Sequence, residues 1–499
     1  MKTVLHYLEE SAKRVPLKTA VRDSDVAYSY NQLLDKSRRI GSFLAANTAG
    51  RKPIAVMMDK GADALSAFFG IVYAGCFYVL MNPDLPEARL MQIRTVLNGQ
   101  YVITDEKHRA IAVQIFGKEA VLDIGLLQQT EINKAALAQV RKRMIDTDPL
   151  YANFTSGSTG VPKGVVVSHR SVLDFIDVFT EIFQIGQEDI IANQAPFDFD
   201  VSVKDIYSAI KMGATLVVVP KQLFSRPTEL IDTLCENQVT TMIWAVSALC
   251  LISTFHGLDY RVPQTVNKIL FSGEVMPQKH LKSWMEHLPN AMFVNLYGPT
   301  EITCNCTYHI VDPAAEYPHG LPIGKPFPNE HVMLLDGDRL VENAGDEGEI
   351  CVRGTALALG YYNNPEQTAK SFTIDPTNPC YPELIYRTGD LGRYGDDGEL
   401  YFCGRKDFQI KHMGHRIELE EVELAICAIE GVERCVCIFD EQKQKLYGFY
   451  IGDLDKKELR GKLRSSLPVF MVPGALRRVD EFPLTKNGKT DRKKLLEGK

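Results

Sequence analysis

Short apolar runs rich in β-branched residues alternate along most of the chain with stretches of helical periodicity. Residues 53–58, 101–104, 215–220, 239–244 and 268–272 read as strands, and 61–74 and 227–237 between them read as helices. This alternation predicts α/β layers with largely parallel sheets. Leu5, Leu8 and Ala12 mark a short amphipathic helix at the start. The pattern changes within 333–362, where runs at 332–335 and 348–352 around a turn at 345–348 predict a smaller β unit. Asp396-Asp397-Gly398 between Tyr394 and Leu400 is a hairpin signal. From Cys403-Gly404-Arg405 a basic segment begins with its own strands and helices. The expected organisation is therefore a large N-terminal part, residues 1–402, of layered α/β subdomains plus a β subdomain, followed by a small α+β domain, residues 403–499.

Composition narrows the class. A chain of 499 residues predicts two to four domains at about 100–200 residues each. With 45% hydrophobic and 24% charged residues it is an ordinary globular protein, which excludes disorder, collagen and coiled coil as the main state. A formal charge of -7 argues against nucleic-acid binding. Residues 403–499 nonetheless carry 20 Lys and Arg against 16 Asp and Glu, and from Lys486 onward six basic residues face two acidic ones. Taken alone, that tail reads as solvated charge. Glu9 and Glu10 interrupt any signal peptide, and the longest apolar run, 71–81, is too short to span a bilayer. A cytoplasmic monomer without membrane insertion is the expectation. Among the 11 cysteines, Cys304 with Cys306 and Cys435 with Cys437 are spaced to share one face of a strand. With no second ligand pair at a suitable interval they read as reduced thiols, not a metal site.

The strongest local signal is Tyr151-Ala-Asn-Phe-Thr155-Ser156-Gly157-Ser158-Thr159-Gly160-Val161-Pro162-Lys163-Gly164. Glycines let the backbone approach an anion, hydroxyls and amides donate to phosphate oxygens, and Lys163 adds positive charge. Lys163 is followed by Gly164 and not by Ser or Thr, so this is not the loop of a P-loop kinase. Strand-like flanks on both sides argue against a flexible linker.

At this loop the sequence resembles the adenylate-forming superfamily, which includes adenylation domains of nonribosomal peptide synthetases, acyl-CoA synthetases and luciferases. Four more motifs follow in that family's order: Asn295-Leu-Tyr297-Gly298-Pro299-Thr300-Glu301, Tyr386-Arg387-Thr388-Gly389-Asp390, Gly404-Arg405-Lys406-Asp407-Phe408-Gln409-Ile410-Lys411 and Asn487-Gly488-Lys489-Thr490-Asp491-Arg492. The match spans essentially the whole chain. Phe271-Ser-Gly-Glu-Val-Met-Pro277 and Asp407–Lys411 look most like stand-alone amino-acid:carrier-protein ligases, notably D-alanine:carrier-protein ligase.

The resemblance implies two half-reactions. A carboxylate attacks the α-phosphate of ATP, and a thiol, here a carrier protein's phosphopantetheine, then takes the acyl group. Lys489 matches the catalytic lysine and Glu301 the Mg²⁺ ligand, with Thr155 and Thr300 assisting. Tyr297 matches the face for adenine, Asn295 its edge, Asp390 the acceptor of both ribose hydroxyls and Arg405 the ribose side, with Gly298 in the same motif. Asp407 matches a hinge about which the small domain turns, and Gly414 lies on the loop that admits the pantetheine arm. Without the resemblance, Glu301 would read as a helix-start acid and Asp390 as part of a Thr-Gly-Asp turn.

The resemblance also supplies a substrate pocket: Asp200, Val201, Lys204, Ile243 (to within a residue), Leu270, Ser272, Leu296, Cys304 and Asn305, with Gly273 beside Ser272 and Lys489 completing the set. Asp200 matches the partner of an α-ammonium group; alternatively it caps the helix that begins beside it. Lys204, at i+4 on the same helix face and expected in a half-buried pocket, asks for an anion, and an acidic or polar substrate side chain would supply one; alternatively it pairs with Asp200 or reaches solvent. D-Alanine ligases carry an apolar residue at Lys204 and a cysteine at Ser272. No Gly-x-Asp-Ser carrier site is present, so the acceptor is expected in trans. An acyl-CoA ligase of a small acid and a non-catalytic scaffold or sensor are the competing readings, disfavoured by Asp200 and by the intact motifs respectively.

Overall fold

The computed structural model describes residues 3–157, 160–441, 443–483 and 490–497. Two compact units are present: Met1–Asn82, Gly99–Asn153 and Gly164–Lys406 form the first, and Pro83–Asn98, Phe154–Lys163 and Asp407–Lys499 the second.

In the first unit, Met292–Tyr297, Lys268–Ser272, Thr241–Ala245, Ile190–Asn193, Thr215–Val218 and Thr19–Arg22 lie side by side in parallel. Antiparallel strands close both edges, Thr307–Ile310 at one and Ala27–Ser29 at the other. A second sheet sets Pro149–Thr155, Phe77–Leu80, Pro53–Met57, Val102–Thr104 and Val121–Asp123 in parallel. The apolar runs are continuous because both faces of the first sheet are covered. Ile243, Leu270 and Val294, adjacent in register, join a core shared with the second sheet and the helices Tyr30–Asn47, Ala62–Tyr73 and Val201–Met212. Their neighbours Met242, Trp244, Ile269, Phe271 and Phe293 face the opposite core, under Pro227–Glu236, Val246–Thr254 and Gln278–His287. Local chemistry sets the helix starts. Ser29 and Gln32 form a reciprocal capping box, and the Ser168 hydroxyl accepts from the Ser171 amide.

The third sheet of this unit is the antiparallel β unit expected near 333–362. Glu330–Asp336 pairs with Glu347–Gly354, which pairs with Leu384–Tyr394, and the predicted hairpin joins the last of these to Leu400–Arg405. Thr388-Gly389-Asp390 makes no turn of its own. It sits inside the strand Leu384–Tyr394, where the register against Glu347–Gly354 shifts and Gly389 has φ 74°.

In the second unit, Gln409–His412 and His415–Glu418 form a hairpin closed by Met413 and Gly414, both at positive φ (54° and 79°), the conformation that two-residue hairpin loops demand. Helix Leu419–Cys427 follows, then Val432–Asp440 antiparallel to Lys445–Gly452, itself parallel to Ala475–Arg478. Cys435 and Cys437 lie buried on one strand as the spacing predicts. Cys304 and Cys306 do not: they precede the strand Thr307–Ile310, and Cys304 has φ 79°, which no strand accepts. All described cysteines are free, and among the described residues no cluster of potential metal ligands occurs and no helix is long and apolar enough to cross a membrane.

One buried acid makes stability pH-dependent. Glu330 accepts from the Ala356 amide at 2.9 Å through Oε1, while its buried Oε2 has no hydrogen-bond partner. Burial, helped by nearby Asp174, raises its pKa from 4.5 to about 8. The folded protein therefore keeps a proton that the unfolded chain releases; this stabilisation is full below about 4.5 and is lost as pH rises through about 8. Glu330→Gln should flatten the decline of melting temperature between about pH 4.5 and about pH 8. An equal decline in both proteins would rule this out.

Candidate active site

In the first unit the candidate residues gather at the carboxyl ends of the parallel strands, where such sheets leave a crevice. Tyr297 ends the strand Met292–Tyr297, and its hydroxyl donates to Asp390 Oδ2 at 2.6 Å. Arg405, paired with Asp390 across the β unit, donates to Oδ1. Burial, reinforced by Asp390, pushes the Tyr297 phenol well up, so it stays a donor. Both oxygens of Asp390 thus already accept from protein, though an ionised carboxylate offers about four acceptor sites and can take hydroxyls as well. Asn295 is also partly engaged: its amide donates to the Pro322 carbonyl at 2.8 Å.

Gly298 continues the strand into a close crossing. A Cβ there would lie 2.5 Å from Asn305 Cα and 2.8 Å from the Cys306 nitrogen, so only glycine fits. Thr300 and Glu301 follow in the single turn Thr300–Ile302. Glu301 is fully buried and accepts from the Tyr361 hydroxyl at 2.7 Å. It stands in the first turn after Pro299, as a helix-start acid would, and is an interior carboxylate with a fixed direction. Thr303 and Cys304 then take positive φ (53° and 79°), anchored by Thr303 Oγ1 to the Ala356 carbonyl and by the Cys304 thiol to the Asp200 carbonyl at 3.0 Å.

That thiol contact joins the two halves of the predicted pocket. Asp200 stands at the start of the helix Val201–Met212 and its side chain makes no capping hydrogen bond, which removes the capping alternative. Lys204 neither reaches solvent nor sits half-buried as expected. It is fully buried, and Nζ donates to Asn305 Oδ1 at 2.6 Å and to the Ser272 hydroxyl at 3.3 Å. The helix is buried almost all round, so no solvent-facing stripe exists at that position. Ile243 pairs with Leu270, and Ser272 lies between Ala245 and Leu296 in register. Val201 is half-buried, and Gly273 carries the chain away at φ 98°.

Several residues here carried no motif. Ala245 joins the Ser272 row, and Tyr361 orients Glu301. Tyr151, read only as a flank of the phosphate loop, buries a hydroxyl that has no hydrogen-bond partner and feels Cys304 and Asp200 electrostatically. Behind the pocket, Lys60 donates to the Gln194 carbonyl at 2.8 Å and to Asn193 Oδ1 at 3.1 Å, and Asn193 donates to Asp205 at 2.7 Å. Burial lowers the Lys60 ammonium to about 7 and raises Asp205. Each of these is an ordinary side chain until the sheet brings its partner alongside, so no local pattern marks it.

The phosphate-loop candidates lie in the second unit. The Gly160 amide bonds to the Gly157 carbonyl at 2.8 Å, and a Cβ on Gly157 would come within 2.1 Å of the Val161 oxygen. Ser156 is buried, and the Lys163 ammonium lies 3.4 Å from Glu418. Ser158, Thr159 and Lys489 fall outside the described residues. The Asp491 amide bonds to the Pro483 carbonyl at 2.7 Å, and Arg492 pairs with Glu423 at 3.0 Å while its guanidinium covers the Phe408 ring at 4.1 Å. Arg492 is thus a structural clamp, which corrects the solvated reading for this one tail cation, while Lys493 and Lys494 are exposed. Asp407 begins the C-terminal segment of this unit, and its carboxylate accepts from the Gln409 amide at 3.2 Å.

Glu301, in the first unit, offers a buried carboxylate, a hard oxygen donor that suits Mg²⁺. In the second unit, Thr155 Oγ1 is a buried oxygen with no hydrogen-bond partner. Mg²⁺ takes one or two protein oxygens and completes its shell from phosphate and water, so no larger ligand cluster is required.

Comparison with known proteins adds independent findings. The AMP-binding enzyme family matches residues 8–362, and the AMP-binding enzyme C-terminal domain matches 421–489. The chain is 32% identical over 511 residues to zwittermicin A synthase ZmaJ of Bacillus cereus, covering 98% of this chain and 93% of that protein. It is 30% identical over 503 residues to surfactin synthase subunit 1 of Bacillus subtilis (strain 168), covering 99% of this chain but only 14% of that much longer relative. Among solved structures, IdnL1 is 28% identical with a TM-score of 0.81, covering 97% of this chain and 98% of that one. Holo-PA1221, a nonribosomal peptide synthetase protein containing adenylation and PCP domains, is 25% identical with a TM-score of 0.85, over 99% of this chain and 84% of that one.

The crossing at Gly298 is testable without substrate. Gly298→Ala should destabilise the first unit by about 1–3 kcal/mol, because the opposing atoms are backbone and cannot step aside. An unchanged urea or thermal midpoint would show that this crossing tolerates a methyl group.

Proposed function

The chain belongs to the AMP-binding enzyme family, and from that premise we propose that it activates an amino acid as its adenylate and passes the acyl group to the phosphopantetheine thiol of a separate carrier protein. In the first step a substrate carboxylate oxygen attacks the α-phosphorus of ATP, the bond to the β-phosphate bridge breaks, and pyrophosphate leaves. Two anions must meet, so positive charge has to be in place beforehand, an arrangement that supplies several kcal/mol of barrier reduction. Lys489 is the residue proposed to bring it. Tyr297 and Asn295 would hold adenine, and Asp390, steadied by Arg405, would take the ribose hydroxyls. Glu301, with Thr155, would hold Mg²⁺, which when bound neutralises phosphate charge. In the second step the carrier's sulfur attacks the acyl carbonyl, the carbonyl–AMP oxygen bond breaks, AMP leaves, and the thiol proton passes to solvent. The proposed hinge is at Asp407, and Gly414 lies on the turn offered to the pantetheine arm.

The observation that carries the substrate reading is the pairing of an uncapped Asp200 with a fully buried Lys204. Asp200 is the partner for an α-ammonium group. Lys204 is a desolvated cation whose ammonium donates to Asn305 and Ser272 among its contacts. Such a cation gains most from an anionic or strongly accepting side chain on the substrate. An acidic or polar amino acid therefore fits this pocket better than alanine.

Amino-acid-dependent ATP–pyrophosphate exchange tests both levels. A panel of L- and D-amino acids and simple acids should give strongest exchange with an acidic or polar amino acid and little with acids lacking the α-amino group. Exchange driven only by simple acids would point to an acyl-CoA ligase instead. Lys489→Ala should reduce exchange by about 100-fold or more, and near-wild-type exchange would remove it from the mechanism. Lys204→Met should move preference toward apolar side chains; an unchanged profile would dismiss the cation's role in selection.

A further inference from the structure

The second unit holds its phosphate loop in an unusual state. The Gly157 amide, a donor suited to a phosphate oxygen, donates to Glu421 Oε2 at 3.2 Å. The Ser156 hydroxyl donates to the Arg416 carbonyl at 2.8 Å. The Lys163 ammonium faces Glu418 Oε1 at 3.4 Å. An amide, a hydroxyl and an ammonium of the loop are therefore all engaged, each by an acceptor from residues 416–421. Both carboxylates are 4% exposed. Each has further support: Arg89 donates to the other oxygen of Glu421, and Gln409 donates to Glu418 while its own carbonyl accepts from Arg416 Nε at 2.7 Å.

Two buried carboxylates three residues apart, each turned to a donor of a phosphate-type loop, present to it about the charge and acceptor pattern of a pyrophosphate. Burying them is costly, and desolvation pushes the Glu421 carboxyl up despite Arg89. A loop meant only to be rigid could use neutral acceptors. We infer that Glu418 and Glu421 are internal counter-anions of the phosphate loop, occupying its donors whenever no polyphosphate does, so that this seating and polyphosphate binding exclude one another. Their arrival would help to discharge pyrophosphate and block its return, which makes adenylate formation run forward. The inference rests on the reading of Thr155–Lys163 as the polyphosphate loop.

Calorimetric titration of the full-length chain with inorganic pyrophosphate decides it. Glu418→Gln and Glu421→Gln keep the shape of each side chain and remove its charge. With less internal competition, the double variant should bind pyrophosphate about tenfold tighter than wild type, a change of about 1.4 kcal/mol. A general loss of structure would weaken binding, so the expected direction separates competition from damage. Equal or weaker binding by a variant that melts at the wild-type temperature overturns the inference. If Glu421→Gln fails to fold because Arg89 loses its partner, Glu418→Gln alone carries the test with the same expected direction. Absence of pyrophosphate binding in wild type and variants alike would instead overturn the reading of the loop itself.

Discussion

A charge taken out of water must find a partner at once, and the interior of this protein is arranged around that constraint. Lys204 is held by Asn305 and Ser272, Asp390 by Tyr297 and Arg405, Glu301 by Tyr361, Lys60 by Asn193 and carbonyls, and Glu421 by Arg89. Each partner comes from a different segment of chain. For Lys204, Glu301 and Lys60, parallel strands make this possible: their carboxyl ends bring loops distant in sequence to one edge, and helices on both faces keep water away.

The same packing explains the irregular backbone. Gly298 lets two chain segments cross at backbone distance, and just beyond it Thr303 and Cys304 accept left-handed geometry. That costs of order 1–3 kcal/mol per residue and persists because hydrogen bonds to Ala356 and Asp200 hold the turn. The result fixes the loop that supplies Cys304 and Asn305 to the pocket. The glycine-rich loop of the second unit shows a related economy: Gly157 leaves no room for a side chain against Val161, and its amide donates to the buried Glu421.

Much of the fold was legible in the pattern of residues. The apolar runs near 215–220, 239–244 and 268–272 are strands because their alternation with helical stretches and their lack of a polar face leave few alternatives. The hairpin around Asp396–Gly398 and the antiparallel unit around 330–354 carried equally local signals. Where the reading failed, a local rule met a tertiary demand. Spacing placed Cys304 and Cys306 on a strand, but the crossing at Gly298 forces the chain into a turn there. Thr388-Gly389-Asp390 reads as a turn and is a distortion within a long strand. Lys204 looked half-exposed from its helical position, and Arg492 looked like one more solvated cation.

What the sequence determined by itself was the type of each element and the candidate chemistry, because both depend on residues close together in the chain. Hydrophobic period, caps, turn residues and the glycine-rich loop all act over a few residues. The tertiary structure alone decided which charges are paired and with what: Tyr361 on Glu301, Asn305 and Ser272 on Lys204, Glu421 on Gly157. Such pairings depend on desolvation and distance between segments that may be hundreds of residues apart, and no local pattern encodes either.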